Sequence, residues 1–432
     1  MRSISAVLRV VASILLGLCL FGCSGPKDDR IQIRYMAWGN VQQLAIEQRI
    51  VDEFNKRNPD VNVRLFKVPG SAYRNKMVVM FASRTAPDVV RVDHYDFPQL
   101  AEREYFMDLE DIIAKDPEYK LSDYYPLSVE ECRVKGRLQG INVLFGGGIM
   151  FYNKKILAEE GLEDPYELWK RGEWNYDKVL EYAKKCTQFD STGRPIQFGI
   201  NMPPMPFYIG VLQAFGGKLL SDDLQKSALT SPESIQAMQW ISDLRWKHKC
   251  SPTPSQSANS AFSFETGKLA LAFDYVGMSS RYREMITRFD WDICPMPMGP
   301  KGDSFFVKGN QLVMARETKN PDAAWRFMKF VNGPIAERIL YIQERRQSPT
   351  RRALAQSDDF LKPKEKPFNM DAVALTVAKG KILPIGPRWP EVMQTLSPEL
   401  DNLFAGREQD AATALKRASE AVDKMLAEDP GL

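Results

Sequence analysis

The first part of the chain alternates strand-like segments with helical ones. Segments 31–35 and 61–65 alternate apolar and polar residues, the period of a half-buried strand, and 89–92 is another short apolar run. Apolar residues at helical spacing over 46–54 predict a helix between the first two segments, and Asn58, which is followed by proline, predicts its end.

The same alternation continues further along the chain. An apolar, glycine-rich stretch over 143–152 predicts a longer strand, and a short helix follows through Ile156. Asn175 and Asn320 are predicted to precede two more helices, and a last helix directs apolar residues inward over 414–425. Strands that alternate with helices predict an α/β protein with a mostly parallel sheet and helices on both faces.

The first 23 residues have the order of a secretory signal. Arg2 and Arg9 precede an apolar run from Val10 to Leu20, which is shorter than the about 20 residues of a membrane-spanning helix. Cys23 after Leu-Phe-Gly resembles a lipidation site, so we expect a lipoprotein signal over 1–22, a lipid on Cys23 and a linker over 23–30. Because the phenylalanine departs from the small residue usual there, an ordinary signal peptide is the alternative.

The composition of the chain argues against several classes of function. Lys and Arg number 58 against 55 Asp and Glu, and removing the two arginines of the signal leaves a nearly neutral protein with no electrostatic reason to bind nucleic acid. The chain has only two histidines, and no cysteine pair has CxxC spacing, so we expect neither a metal nor another cofactor. Four cysteines lie beyond the signal, and both disulfides and buried free thiols are open for Cys132, Cys186, Cys250 and Cys294.

Motifs in a fixed order resemble a known family from Ile31 to the C-terminus. They include IRYMAWGN, DEFNKRNPDVNVRL, the segment ending in APDVVRVDHYDF, GRLQGINVLFGGGIMFYNKKILAEEGL, GEWNYDKVLEYAKKCT, FETGKLALAFDYVG and NPDAAWRFMKFV. In this order they resemble the family 1 extracellular solute-binding proteins of ABC importers, which include maltodextrin-binding proteins.

The resemblance implies a periplasmic-binding-protein-like fold of two α/β lobes with a hinge and a ligand cleft between them. Mapped onto this chain, it gives an N-terminal lobe of 31–140 plus 298–360 and a C-terminal lobe of 141–297 plus 361–432. It implies no enzyme activity. We expect an exported, lipid-anchored monomer at the cell membrane that captures a mono- or oligosaccharide and delivers it to the transmembrane subunits of an ABC permease.

Sugar binding requires flat aromatic surfaces for C–H faces and polar groups for hydroxyls, and loops after the first and third strands offer both. Trp38 is a candidate stacking surface or a core residue, and Asn40 is a hydroxyl ligand or a helix cap. Asp93, Tyr95 and Asp96 lie where the family carries acidic hydroxyl-binding residues, whereas His94 fits a structural role equally well.

The predicted C-terminal lobe supplies further candidates. Gly146 stands where one member has glutamate, which predicts room for a larger ligand or for contacts to backbone N–H groups. The family's Gly-Pro-Trp is absent near Tyr275, which is the replacement candidate. The other aromatic candidates are Phe207, Tyr208 and Trp389, and a carboxylate on a uronic acid could pair with Arg388, Arg345 or Arg346.

The sequence is also compatible with other functions. Within binding proteins, the solute could instead be a phosphorylated polyol, a peptide or a polyamine, although the candidate residues are mixed rather than acidic. A lipid-anchored glycosidase would need two carboxylates about 5–10 Å apart, and no segment supplies a recognisable acid and nucleophile. A third alternative is a structural lipoprotein with a decayed cleft.

Overall fold

A computed structural model describes residues 28–258, 260–345 and 347–428 of the 432-residue chain. Strands alternate with helices along most of this length. The strands are β1 Ile31–Trp38, β2 Val61–Val68, β3 Val89–Asp93, β4 Arg133–Val134, β5 Arg137–Leu138, β6 Ile141–Asn153, β7 Gln188–Phe189, β8 Pro195–Ile200, β9 Leu269–Tyr275, β10 Trp291–Cys294, β11 Met298–Gly299, β12 Gly302–Asp303, β13 Phe306–Met314 and β14 Lys381–Ile382.

The helices cover the sheet and fill the periphery. The α-helices are Val41–Arg57, Gly70–Ala82, Phe97–Glu102, Glu110–Ala114, Pro126–Glu130, Lys154–Glu159, Pro165–Lys170, Tyr176–Lys185, Phe207–Phe215, Pro232–Trp246, Pro254–Ser257, Ser279–Met285, Pro321–Val331, Pro334–Glu337, Arg352–Ala355, Asp358–Leu361, Asp371–Lys379, Trp389–Phe404 and Ala411–Ala427. Short 3-10 turns occupy Leu121–Asp123, Phe264–Thr266 and Val276–Met278, and a π-helical turn occupies Arg338–Gln343.

The central sheet has the strand order β2-β1-β3-β13-β6-β9-β8-β7, with β10 beside β6 and β14 beside β13. Parallel pairs join β1 to β2 and β3, β8 to β9, and β13 to β14, whereas β13 runs antiparallel to both β3 and β6, and β6 runs antiparallel to β9 and β10. The prediction of a mostly parallel sheet is therefore wrong. The two long strands at the centre of the sheet, β6 and β13, pair antiparallel with each other and with β9 and β3. These partners lie too far away in the sequence for a local pattern to predict the pairing.

Several predicted helices are confirmed together with the reason for their start. Asn40 accepts a hydrogen bond from the backbone N–H of Gln43, whose side chain accepts one from the N–H of Asn40, so the pair forms a capping box. Asn175 caps Tyr176–Lys185 in a similar way, and that helix buries Tyr176, Val179, Tyr182 and Ala183. Apolar faces at helical spacing therefore lie against the core, as the sequence predicts.

Buried side chains form separate clusters on either side of the middle of the molecule. One cluster joins β1 and β2 to the helices Val41–Arg57 and Pro321–Val331. Another surrounds Trp174 and reaches the last helix, Ala411–Ala427. Strands β6 and β13 contribute to both clusters, so they cross from one body to the other. Polar residues near the middle of these two strands are therefore positioned between the two bodies.

The four cysteines beyond the signal, Cys132, Cys186, Cys250 and Cys294, are buried free thiols rather than disulfides. None of the helices in the described ranges combines the length and the apolar character needed to cross a bilayer. The signal and the predicted lipidation site at Cys23 lie outside the described residues.

Candidate functional site

A cavity of about 320 Å³ opens between the two clusters, at the edge where β1 and β3 end. These strands are parallel, so their carboxyl ends bring Trp38 and Asp93 to the same place. Tyr275, at the end of β9, also lines the cavity. The lining residues are Trp38, Gln43, Arg91, Asp93, Leu144, Asp274, Tyr275, Gly277, Met278, Lys308, Asn310 and Gln347.

Three donors hold the carboxylate of Asp93. Its Oδ1 accepts the backbone N–H of Tyr95 at 3.2 Å, while Oδ2 lies 3.0 Å from Asn310 Nδ2 and 3.3 Å from Lys308 Nζ. Strand β13 places these two side chains there because Asn310 pairs directly with Asp93 across the β3–β13 ladder. The orientation of Asp93 is therefore set before any ligand arrives.

Trp38, at the end of β1, also has a fixed orientation. The guanidinium of Arg91 lies over the indole at 4.1 Å from the ring centroid, and the ring of Tyr73 packs against it at 4.7 Å. Arg91 is almost fully buried, and it donates to the carboxylate of Glu47 and to the carbonyl of Trp38. A buried ion pair of this kind orients its neighbours more than it stabilises the fold.

Asp274 is the second carboxylate of the cavity, on the side of β9. Its Oδ1 accepts the backbone N–H of Tyr275 at 2.8 Å, and its Oδ2 accepts the hydroxyl of Tyr282 at 2.9 Å. Burial raises the pKa of Asp274 to about 6, although both hydrogen bonds oppose the shift. The neighbouring Tyr275 ring rests on the edge of Phe207, with ring centroids 5.1 Å apart.

The aromatic candidates Tyr95 and Trp389 meet each other beside this cavity. Their rings stack with centroids 6.1 Å apart and planes 15° apart, and Trp389 is 3% exposed. Lys308 Nζ lies 5.0 Å from the centroid of the Tyr95 ring and 5.7 Å from that of Tyr275. Tyr208 is buried against Phe404.

The structure thus brings Trp38, Asp93 and Tyr275 to the cavity wall, with Tyr95 beside them. Phe207 packs on Tyr275, and Trp389 packs on Tyr95. Other predicted residues have other partners. Asn40 caps its helix, and Asp96 receives a hydrogen bond from Arg74 at 2.6 Å. Arg388 binds Glu391 and the carbonyls of Leu426 and Glu428, which fix it to the last helix. Arg346 lies outside the described residues.

The open space expected at Gly146 is already occupied. A Cβ built on this glycine would lie 2.6 Å from Oε1 of Gln347, so the side chain of Gln347 fills the position. In this structure the extra room predicted at Gly146 is filled by Gln347, and a binding role for Gly146 stays a prediction. The loop after Tyr341 returns close to β6, and this return depends on tertiary contacts that no local pattern contains.

Sequence reasoning missed Arg91, Asp274, Lys308 and Asn310. A signal for three of them was present. Arg91 interrupts an apolar run in β3, Lys308 follows one in β13, and Asp274 is the penultimate residue of the apolar strand β9. A charged residue in a central strand is costly unless it is paired or faces a cavity. Across the described ranges, no group of three or more His, Cys, Asp or Glu residues is arranged to hold a metal ion.

Comparison with known proteins identifies the family. The family model for bacterial extracellular solute-binding proteins matches residues 38–337, which is more than half of the chain. The chain belongs to this family of bacterial extracellular solute-binding proteins.

Two curated relatives are similar at low identity. The putative ABC transporter periplasmic-binding protein YcjN of Escherichia coli is 23% identical over 277 residues, which cover 62% of this chain and 61% of that protein. The maltotriose-binding protein of Pyrococcus abyssi is 23% identical over 305 residues, which cover 69% of this chain and 62% of that one. The chain thus spans about three fifths of the length of each of these relatives.

Solved structures confirm the fold class. The ABC substrate-binding protein Lmo0181 from Listeria monocytogenes, solved in complex with cycloalternan, superposes with a TM-score of 0.82 at 21% identity. The match covers 93% of this chain and 100% of that one. The periplasmic-binding-protein-like fold is therefore the fold of this chain, and its cavity lies where the chain's two bodies meet.

Proposed function

We propose that the protein is the substrate-binding component of an ABC importer, which reversibly captures a carbohydrate in the cavity and delivers it to a membrane permease. The observation that carries the proposal is the composition of the cavity wall. The wall combines the indole of Trp38 with four hydrogen-bonding groups that protein contacts hold in place: Asp93, Lys308, Asn310 and Asp274. Aromatic faces with convergent polar groups suit a sugar, which has C–H faces and a rim of hydroxyls.

The relatives support a carbohydrate rather than another solute. One structural neighbour was solved with cycloalternan, and one curated relative is named for maltotriose. The cavity also combines cations with carboxylates instead of collecting carboxylates alone, which a polyamine would require. A neutral polyhydroxylated ligand matches this mixture of donors and acceptors.

The binding step that we propose is closure of two lobes around the ligand. Contacts already connect the two sides of the cavity, since Gln42 Nε2 donates to Glu284 Oε2 at 3.0 Å and Tyr95 stacks on Trp389. A ligand shifts the population toward the closed form only through contacts that are better in that form. Ligand groups that touch both Asp93 and Tyr275 satisfy this requirement, because these residues come from different strands, β3 and β9.

A glycan panel tests the proposal directly. We expect one class of mono- or oligosaccharide to raise the melting temperature of the mature protein and to shrink its radius of gyration in solution scattering. Asp93→Ala should abolish both responses, whereas Asp222→Ala, at an exposed carboxylate elsewhere, should retain them. No response to any sugar in the panel, together with a response to phosphorylated polyols, peptides or polyamines, would contradict a carbohydrate ligand.

We further propose that the protein acts without catalysis. Members of the family are solute-binding proteins, and the two cavity carboxylates are each bonded to protein donors that already orient them. Labelled oligosaccharides incubated with the protein should be recovered intact after the complex is dissociated. Cleaved product would identify a glycosidase instead.

For its location, we propose export and anchoring through a lipid on Cys23, with the mature protein a monomer. A lipid tether holds the receptor near its permease and so raises their effective concentration. The full-length chain should fractionate with membranes, and Cys23→Ser should release it into the soluble exported fraction. Release of the wild-type protein after signal removal would favour an ordinary signal peptide.

A further inference from the structure

Lys308 occupies an unusual position for a lysine, because its ammonium lies inside the cavity instead of at the surface. The side chain is 15% exposed and comes from β13, next to the register shift between Lys308 and Asn310. Its Nζ lies 5.0 Å from the ring centroid of Tyr95, in the loop after β3, and 5.7 Å from that of Tyr275, at the end of β9. The ammonium is therefore close to aromatic rings that follow or end two different strands of the cavity.

We infer that Lys308 contacts the ligand and determines its specificity: together with Asp93 it binds two neighbouring hydroxyls of a neutral sugar and disfavours acidic sugars. This inference rests on the proposed carbohydrate function and names the chemical class of the ligand. The pair presents a donor and an acceptor whose Nζ and Oδ2 atoms lie 3.3 Å apart.

Counting hydrogen-bonding capacity supports this assignment. An ammonium has three N–H donors, and within the described ranges Lys308 directs one of them at Asp93. An ionised carboxylate has about four acceptor positions, of which Tyr95, Asn310 and Lys308 occupy three. The pair therefore retains donors on one side and an acceptor on the other. One hydroxyl can accept from Lys308 while its neighbour on the ring donates to Asp93.

The charges around the cavity disfavour a negatively charged ligand. Arg91 is already matched by Glu47, and Lys308 by Asp93. Asp274 adds a second carboxylate to the wall without a cation bonded to it in the described ranges. A ligand carboxylate that accepted another N–H of Lys308 would be held close to the carboxylate of Asp93 by the same ammonium, and like charges at short range repel.

The test combines a lysine variant with altered ligands. For the sugar that binds best, dissociation constants are measured by calorimetry for the sugar, its uronic acid and each monodeoxy analogue, with the wild type, Lys308→Met and a control. The control is Lys329→Met, because Lys329 is also bound to carboxylates, Asp116 at 2.8 Å and Glu118 at 3.1 Å, but lies outside the cavity. Melting temperatures verify that both variants fold.

We expect Lys308→Met to weaken binding of the neutral sugar by about 10- to 100-fold, the effect of losing a hydrogen bond to a charged group. One deoxy analogue should bind the wild type more weakly than its parent and yet match its parent in Lys308→Met. The uronic acid should bind the wild type more weakly than the neutral sugar, and Lys329→Met should behave as the wild type. If Lys308→Met does not fold, the same comparison is made with Lys308→Gln.

Three results would overturn the inference while leaving carbohydrate binding intact. The first is a variant that binds the sugar as well as the wild type does. The second is a uronic acid that binds the wild type more tightly and loses this advantage in the variant. The third is that every deoxy analogue loses the same factor in both proteins, since Lys308 then only positions Asp93. A wild type that binds no sugar at all overturns the proposed function itself, before any variant is compared.

Discussion

Tyr95 and Trp389 stack on each other although 293 positions separate them in the chain, with ring centroids 6.1 Å apart and ring planes 15° apart. Tyr95 belongs to the loop that follows β3, and Trp389 is the first residue of the helix Trp389–Phe404. The stack connects the loop that carries Asp93 to the cluster around Trp174. It is thus both part of the core and a link between the two walls of the cavity.

This position gives Trp389 a structural role that can be measured. We predict that Trp389→Ala lowers the free energy of unfolding by about 3–5 kcal/mol, the usual cost of removing a buried aromatic ring. Chemical denaturation of the single variants and of the double variant with Tyr95→Ala should give a coupling of about 0.5–1.5 kcal/mol for the stack.

The matched control is Trp169→Ala. Trp169 also stacks on a tyrosine, Tyr166, with ring centroids 6.2 Å apart, but it is only partly buried. The expected loss of stability is clearly smaller there. Equal losses at the two positions, or no coupling between Tyr95 and Trp389, would argue against a core role for the stack.

Local patterns predicted the helices well, and the sheet only in part. The helix that Asn175 caps was predicted because its apolar spacing and its cap are encoded within a dozen residues. The insertion of β13 between β3 and β6 was not, because Asn310 pairs with Asp93 across more than 200 residues of sequence. Apolar runs in β6 and β13 indicate burial on both faces, but they contain no information on strand direction or neighbour.

For the candidate site, the position of a residue at or near the end of a strand was the most informative feature of the sequence. Trp38 and Asp93 follow parallel strands, so their meeting could be predicted from topology alone. Lys308 enters from an antiparallel strand, and its partner is set by the register of that strand. Asn40 and Arg388 both have the right chemistry for a ligand, and both are bound to protein groups in this structure. For Asn40 this is the helix cap that the sequence offered as one of its two roles.

The buried thiols make a second prediction. Burial raises the pKa of each of the four cysteines beyond the signal, to about 12 for Cys186 and Cys250, so the reactive thiolate is scarce at neutral pH. A chain without its signal and Cys23 should react with a thiol reagent very slowly when folded and at four positions when unfolded. A reductant should leave its melting temperature unchanged. A drop in melting temperature on reduction would reveal a disulfide.

The glycines of β6 supply a matched pair of substitutions. A Cβ on Gly147 would lie 2.0 Å from the carbonyl oxygen of Phe306, which belongs to the backbone of the paired strand. On Gly146 the nearest atom is Oε1 of Gln347, at the end of a flexible side chain. We predict that Gly147→Ala lowers the free energy of unfolding by about 2–4 kcal/mol, and the melting temperature by about 2–5 °C in a chain of this length, because the strands must separate.

Gly146→Ala should lower the melting temperature by about one degree at most, because Gln347 can rotate away. Circular dichroism of both variants under one set of conditions checks the difference. Similar melting temperatures for the two would mean that β6 and β13 pack less closely than this register requires.

Glu337 makes a prediction about pH. Its side chain is buried, and its Oε1 accepts hydrogen bonds from Thr350 Oγ1 at 3.0 Å and from the backbone N–H of Arg351 at 3.2 Å. Burial raises the pKa of Glu337 from 4.5 to about 7 despite these bonds. The folded protein therefore keeps the proton over a pH range in which the unfolded chain has released it.

The sign of the effect follows from proton linkage. Between about pH 4.5 and pH 7 the folded state binds the extra proton, so this group makes the wild type progressively less stable as the pH rises, and above pH 7 the full cost remains.

Glu337→Gln keeps the acceptor and removes the charge. We predict that the variant becomes more stable than the wild type by up to the order of 3 kcal/mol at pH 8, and that the difference shrinks toward zero near pH 4.5. Denaturation at several pH values measures it, and Glu420→Gln, at an exposed position of the last helix, should show no such trend. A difference between Glu337→Gln and the wild type that stays constant with pH would mean that Glu337 is ionised in the folded protein throughout this range.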